Sequence, residues 1–141
     1  MRSETARAKA ALPDIRNVLF VEDEDSDARR LAAILRIVFG RDVNAVRAER
    51  LGDVAAAVAN VPPDVVFIDD YLRPDDTALD TIPVLRQAGY EGPIIVMSGE
   101  LDRARSLKLA AAGASVTMHK EDINSAAITS AMQRAFDGPP A

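Results

Sequence analysis

The residues that could carry chemistry share one position: each stands at the end of a short apolar run. They are Glu22 and Asp23, Asp69 and Asp70, Ser98, and Lys120. Carboxylates held close together raise one another's pKa or require a cation between them. Oxygen ligands without histidine or cysteine suit Mg²⁺, which favours phosphate-bearing partners, while a lysine and a hydroxyl can hold phosphoryl oxygens. The set predicts transfer of a phosphoryl group onto a carboxylate, with Mg²⁺ as cofactor.

These side chains become neighbours if the apolar runs are parallel strands of one sheet. Runs 18–21, 65–68 and 94–97 are too short for helices and apolar without alternation, which is typical of strands buried on both faces. Apolar residues recur at helical spacing between them, so strands alternate with helices. Because ligands of such sheets bind outside the carboxyl ends of the strands, the acids, the hydroxyl and the ammonium are predicted to meet at one edge.

The whole chain follows this alternation, with five strands and five helices. The predicted strands are 18–21, 43–46, 65–68, 94–97 and 115–119. The first predicted helix is capped by Ser26 and Asp27 and ends at Gly40. The next three are 51–60, 79–88 and 102–112, and the last runs from a cap at Asp122 to about Phe136. Pro83 falls inside the third helix and fits only in its first turn. Such a pattern makes a doubly wound α/β sandwich around a parallel sheet.

Composition and length exclude several other kinds of site. The 141 residues suffice for one domain, which we place at 17–137 between a lead-in (1–16) and a tail (138–141). With 22 acidic against 17 basic residues the net charge is −5, so direct nucleic-acid binding is not expected. No cysteine is present, and the single histidine, His119, cannot form a histidine cluster for a transition metal. Without a membrane-length apolar run or a secretory signal, a cytoplasmic protein is expected.

Four segments resemble the receiver domain of two-component response regulators. They are 18–24 (VLFVEDE), 63–69 (PDVVFID), 94–99 (IIVMSG) and 113–120 (GASVTMHK). The resemblance implies a flavodoxin-like sheet in the order 2-1-3-4-5. It also implies a phosphoacceptor signalling protein rather than an enzyme acting on other substrates. Its donor would be a sensor histidine kinase or a histidine phosphotransfer protein, its target a downstream protein, and its state a monomer or a weak homodimer.

The same resemblance implies a role for each site residue. The metal ligands would be Glu22, Asp23, Asp69 and the backbone carbonyl of Tyr71, and the phosphoryl contacts would be Ser98 and Lys120. Tyr71 and Glu100, each two residues past a site residue, would edge the site.

The phosphoacceptor is Asp69 or Asp70, and we favour Asp69. Counting forward from Pro63 gives Asp69, whereas the family's proline four residues after the acceptor fits Pro74 only if the acceptor is Asp70. Leu72 stands at the usual apolar position three residues after Asp69. An inserted Arg73 would reconcile the two counts.

Three departures from the family pattern bear on mechanism. Ala78 replaces a glycine, so a left-handed backbone there is less favoured, and Thr117 replaces the aromatic switch residue. Glu121 replaces the proline after the lysine, and since a cis non-proline bond costs roughly 3 kcal/mol, we predict a trans Lys120–Glu121 bond. These departures motivate the alternative of a receiver-like binding module that works without phosphorylation.

Two enzymatic alternatives fit the sequence poorly. A phosphohydrolase of the haloacid-dehalogenase type requires a second aspartate two residues after the nucleophile, where Tyr71 stands. A catalytic role for His119 is disfavoured because adjacent strand residues face opposite sides, so His119 faces away from the acids if Lys120 faces them. We expect His119 to pack under a helix.

Overall fold

The computed structural model describes residues 12–137, and all of the elements named below lie within that range. The strands of the main sheet are β1 (Asn17–Val21), β2 (Asn44–Ala48), β3 (Val65–Asp69), β4 (Ile94–Ser98) and β5 (Val116–His119). The α-helices are α1 (Asp25–Phe39), α2 (Val54–Asn60), α3 (Ala78–Gln87), α4 (Arg103–Ala112) and α5 (Ser125–Asp137). Shorter elements are the 3₁₀ turns Leu51–Asp53 and Lys120–Asp122, and a hairpin of Tyr71–Leu72 with Asp76–Thr77.

The sheet is parallel throughout and has the predicted order β2-β1-β3-β4-β5. The chain first moves outward from β1 to β2 and then crosses back to β3, so the strand order reverses between β1 and β3. In an open α/β sheet this reversal leaves a crevice at the carboxyl ends of the two strands, where the crossing connections part. Any site built by the ends of β1 and β3 therefore occupies that crevice.

The sheet separates two apolar layers, and strands β1 to β4 contribute side chains to both, whereas β5 contributes to one. On one face Phe20, Phe67 and Met97 pack with residues of α1 and α5 such as Leu35 and Ile128. On the other face Leu19, Ile68 and Val96 pack with residues of α2, α3 and α4 that include Val58, Ile82 and Leu109. Every residue of β3 and β4 is buried, which explains why these two runs are apolar without alternation.

Two helices begin at residues other than those predicted. Helix α1 begins at Asp25, so Ser26 and Asp27 lie in its first turn, and no side chain caps its amides. The last helix is capped by Asn124, whose Oδ1 accepts from the Ala127 amide at 2.8 Å, whereas Asp122 lies in the preceding 3₁₀ turn. Both predicted caps lie one or more residues away from the position at which the helix begins.

Helix α3 tolerates Pro83 in its second turn, contrary to the prediction that only the first turn would accept it. Thr77 and Asp80 form a reciprocal capping box that fixes the start of the helix. Ile82 and Leu85 are buried, whereas Pro83 is exposed and leaves the Leu79 carbonyl without its helical donor. Burial of one helix face offsets the missing hydrogen bond.

The segment directly before β1 packs against the domain, although the sequence predicts that residues 1–16 are a lead-in outside it. Ile15 is buried against the α1 and α5 layer, and Asp64 Oδ2 accepts from the amides of Arg16 and Asn17 at 2.9 and 2.8 Å. The rest of the predicted lead-in, residues 1–11, and the tail, 138–141, lie outside the described residues. Over 12–137, no helix combines the length and apolar character needed to cross a membrane.

Candidate functional site

Three carboxylates converge in the crevice between β1 and β3. Glu22 and Asp23 directly follow β1, and Asp69 is the last residue of β3, which pairs in parallel with β1. One oxygen from each of the three lies within 4.8 Å of the others. Because parallel pairing brings the carboxyl ends of neighbouring strands together, the topology alone places these acids side by side.

Lys120 reaches this acid cluster from the 3₁₀ turn that directly follows the edge strand β5. Its Nζ donates to Asp69 Oδ2 at 2.8 Å and to Glu22 Oε1 at 2.9 Å, and it lies 3.0 Å from Asp27 Oδ2 on α1. Burial alone would lower the pKa of Lys120, but the hydrogen bonds to these carboxylates raise it above its usual value. The ammonium is therefore charged and held within the acid cluster.

The surroundings of the Glu22 side chain indicate whether a cation fits this cluster. This side chain is buried, and its Oε2 has no hydrogen-bond partner. Burial raises the pKa of Glu22 to about 9, with a further contribution from neighbouring Asp69 and an opposing one from Lys120. A buried carboxylate oxygen without a partner is unfavourable, and a cation beside Asp23 and Asp69 would satisfy it. An all-oxygen donor set without histidine suits a hard cation such as Mg²⁺.

Arg73 lies at the other side of the acid cluster, in the turn of the short hairpin. Its backbone amide and Nε donate to Asp23 Oδ2 at 2.9 and 3.1 Å, and Nη2 donates to Glu24 Oε2 at 3.2 Å. Burial would raise the pKa of Asp23, but the hydrogen bonds and the charge of Arg73 outweigh burial and lower this pKa. The guanidinium thus provides Asp23, one of the candidate metal ligands, with a positively charged partner.

Asp70 is turned away from the acid cluster and has its own set of donors. Ser98 Oγ donates to Asp70 Oδ2 at 3.0 Å, Arg105 Nε donates to the same oxygen at 2.9 Å, and Arg105 Nη2 donates to Oδ1. The Ala78 amide also reaches Oδ1, at 3.2 Å. Burial would raise the pKa of Asp70, but these hydrogen bonds outweigh it and lower the pKa. The two aspartates are adjacent, so their side chains leave the strand end in opposite directions.

The predicted site residues therefore divide into two groups. Glu22, Asp23, Asp69 and Lys120 come together in the acid cluster. Ser98 is fully buried at the end of the neighbouring strand, yet its hydroxyl bonds Asp70 rather than Asp69. The Tyr71 amide donates to Asp69 Oδ1 at 3.3 Å, and the Tyr71 ring is exposed.

A groove beside the site is lined by Tyr71, Glu100, Leu101, Arg105 and His119, with Asp70 at its base. His119 is exposed at its rim, so the expectation that it packs under a helix is wrong; it is the last residue of β5. Glu100 is exposed, and its amide donates to Ser98 Oγ at 3.3 Å.

The three departures from the receiver pattern have structural counterparts. The Lys120–Glu121 bond is trans, as predicted; within 12–137 the cis bond is Arg73–Pro74. Ala78 begins α3 with helical rather than left-handed geometry. The hydroxyl of Thr117 lies 3.4 Å from that of Ser106, so this position contacts α4 through a hydrogen bond rather than an aromatic ring.

Sequence reasoning missed three charged residues of the site. Arg105 and Arg73 resemble ordinary surface arginines in the sequence, and Asp27 resembles a helix cap. The one available signal was the extra residue between Asp69 and Pro74, which marks Arg73 as unusual. Nothing local to Arg105 indicates that it pairs with a buried acid.

Comparison with solved structures shows that the chain has the fold of response-regulator receiver domains. No protein-family model matches the chain, and no curated protein sequence matches it. Among solved structures, the activated receiver domain of Klebsiella pneumoniae RstA superposes with a TM-score of 0.72 at 22% identity, over 85% of this chain and 97% of that one. The receiver domain of Mycobacterium tuberculosis NarL gives 0.74 at 18%, covering 90% and 100%. Vibrio cholerae chemotaxis protein CheY4 gives 0.73 at 20%, covering 86% and 98%.

Proposed function

We propose that this chain, which has the receiver-domain fold, accepts a phosphoryl group from a phosphohistidine onto Asp69 and thereby changes its binding to a downstream protein or relays the group onward. The observation that carries the proposal is the position of Asp69 between Glu22, Asp23 and Lys120 at the carboxyl edge of the sheet. The receiver fold shared with RstA, NarL and CheY4 supports this donor class.

The partners of the two aspartates support Asp69 as the acceptor. Asp69 Oδ2 receives one donor, Lys120, and Oδ1 receives the Tyr71 amide at the longer distance of 3.3 Å. Asp70 is enclosed by a bidentate arginine, a hydroxyl and a backbone amide, so a phosphorus atom has no approach to either oxygen without breaking an ion pair. A nucleophile needs an accessible lone pair, which favours Asp69.

The proposed step is an in-line displacement at phosphorus. An oxygen of Asp69 forms the new P–O bond while the P–N bond breaks, and that bond pair returns to the imidazole nitrogen, which takes up a proton. Glu22, Asp23 and Asp69 would hold the Mg²⁺, which when bound neutralises the charge that the acids and the phosphoryl oxygens bring together. The Lys120 ammonium lies where it can pair with a phosphoryl oxygen as the group arrives at Asp69.

The test is phosphoryl incorporation from a small donor. The chain is incubated with Mg²⁺ and acetyl phosphate, and the intact mass is measured before and after treatment with hydroxylamine, which cleaves acyl phosphates. We expect one labile phosphoryl group on the wild type and on Asp70→Asn, and none on Asp69→Asn. Incorporation that survives Asp69→Asn but not Asp70→Asn would move the acceptor to Asp70. No adduct on any of the three, with no Mg²⁺ binding, would favour a binding module that works without phosphorylation.

A further inference from the structure

Ser98 has one hydroxyl hydrogen, and its strand β4 pairs with β3, which ends at Asp69 and is followed by Asp70. In the structure it donates to Asp70 Oδ2 at 3.0 Å, and the Ser98 side chain is fully buried. The oxygen of the same hydroxyl accepts the Glu100 amide, so its orientation is fixed from both sides. A hydroxyl has a single donor, and while Asp70 holds it that donor cannot serve a phosphoryl oxygen on Asp69.

Asp70 is a strong acceptor because Arg105 pairs with it and holds it in place. The guanidinium contacts both carboxylate oxygens, an arrangement that fixes the plane of the carboxylate as well as its charge. Arg105 is itself fixed at its backbone, since its amide donates to Asp102 Oδ1 at 2.7 Å at the start of α4. A hydrogen bond to a charged acceptor is stronger than one to a neutral acceptor, so Ser98 is held firmly.

Helix α4 depends on polar contacts for its position more than its neighbours do. Leu109 is the one buried residue of α4, whereas α3 buries four residues. The remaining attachments of α4 to the strand ends are the Arg105–Asp70 ion pair and the Ser106–Thr117 hydroxyl contact. An element with few apolar contacts is the one expected to shift when a polar contact changes.

We infer that Asp70 is a positioning residue that competes with the phosphoryl group for the hydroxyl of Ser98, and that Arg105 links this competition to α4. In the resting chain Ser98 is bound to Asp70. When a phosphoryl group on Asp69 takes the hydroxyl, Asp70 loses a donor and the loop from Ser98 to Asp102, whose far end begins α4, moves with it. The inference rests on the proposed function, since it supposes that a phosphoryl group reaches Asp69.

The test is a double-mutant cycle read out as affinity for a phosphoryl mimic. Beryllofluoride is titrated into the chain at saturating Mg²⁺, and binding is followed by calorimetry. Asp70→Ala removes the competing acceptor, and we expect it to tighten beryllofluoride binding about tenfold, the effect of one hydrogen bond to a charged group. In a Ser98→Ala background the same substitution is expected to change the affinity less than twofold, because there is no hydroxyl to release. Asp70→Asn retains the side-chain shape with a weaker acceptor, and a smaller change in the same direction is expected.

The cycle has outcomes that overturn the inference. An equal effect of Asp70→Ala with and without Ser98, or weaker beryllofluoride binding in Asp70→Ala, would show that Asp70 does not compete for the hydroxyl. If Asp70→Ala does not fold, Asp70→Asn in the two backgrounds gives the same comparison. Failure of the proposed function looks different: wild type and Asp69→Asn would then both fail to bind beryllofluoride, and the inference would fall with it.

The link to α4 is tested by hydrogen exchange of its amides. Beryllofluoride is expected to speed exchange at 103–107 in the wild type, and Arg105→Gln is expected to speed it without beryllofluoride and to reduce the further change. Arg103→Gln is the matched control, because it removes the same charge from an exposed position in the same turn. Identical exchange in the two variants would overturn the link.

Discussion

The ammonium of Lys120 donates to Asp69 Oδ2 across 2.8 Å, although 51 residues separate the two in the chain. The same nitrogen reaches Glu22 and Asp27, so one cation neutralises acids from β1, α1 and β3. Two further cations, Arg73 and Arg105, complete a set in which each acid of the strand ends has a basic partner. Substitution of each cation in turn separates their roles.

Replacement of Lys120 by methionine should slow phosphoryl incorporation more than it weakens Mg²⁺ binding. The ammonium lies 2.8 Å from Asp69 Oδ2, where it can pair with a phosphoryl oxygen as the group arrives, and removal of one such donor typically costs about a hundredfold in rate. Initial rates of phosphoryl incorporation from acetyl phosphate measure the effect. Lys108→Met, an exposed lysine on α4, is the control. Equal rates in the two variants would contradict a role for Lys120.

Replacement of Arg73 by glutamine should tighten Mg²⁺ binding about two- to fivefold. Arg73 occupies Asp23 Oδ2, one of the candidate metal ligands, so a metal ion must compete with it. The gain is small because exposed ion pairs are weak. Calorimetric titration with MgCl₂ measures it. Arg50→Gln is the control, because Arg50 lines the same surface pocket but makes no hydrogen bond to Asp23. If Arg50→Gln tightens Mg²⁺ binding equally, the effect comes from the loss of a positive charge in general and not from the Arg73–Asp23 contact.

Replacement of Arg105 by methionine should lower the free energy of unfolding by about 3 kcal/mol, because it leaves a buried carboxylate without its partner. Urea unfolding measures this loss. The double variant Asp70→Ala/Arg105→Met should be more stable than Arg105→Met alone, since the unpaired charge is gone. Arg103→Met should stay within about 0.5 kcal/mol of wild type. A double variant less stable than Arg105→Met would rule out this account of the pair.

The stability of the chain above pH 10 should depend on Tyr90. Its hydroxyl donates to the Pro93 carbonyl at 2.6 Å in a buried position, and burial raises its pKa above the usual value. A raised pKa stabilises the folded chain fully below the unfolded pKa of about 10, and this contribution is lost as the pH rises further. The difference in free energy of unfolding between wild type and Tyr90→Phe should therefore be constant from pH 7 to 9 and shrink above pH 10. Tyr71→Phe, at an exposed ring, is the control; the same pH dependence in both variants would argue against the prediction.

The strands and the residues at their ends could be predicted from the sequence. The residues 18–21, 65–68 and 94–97 lie in β1, β3 and β4, and the side chains that follow them gather at one edge. Helix starts are less predictable. Ser26 and Asp27 are good capping residues, but α1 begins before them at Asp25, and the Asp27 side chain pairs with Lys120. Asp122 does not cap the last helix because Asn124, two residues later, does so. The position of Pro83 could not be predicted because burial of Ile82 and Leu85 is a tertiary effect.

The sequence by itself determined the alternation of strands and helices and the edge at which Glu22, Asp23, Asp69 and Lys120 meet, because apolar periodicity is local and a parallel sheet collects the carboxyl ends of its strands. Only the tertiary structure decided that Asp70 pairs with Arg105 and Ser98, and that Arg73 binds Asp23. These contacts join residues 28 to 50 positions apart, and two of them are made by long, flexible arginine side chains. The partners depend on how distant helices and loops pack against the strand ends, and no local pattern in the sequence encodes that packing.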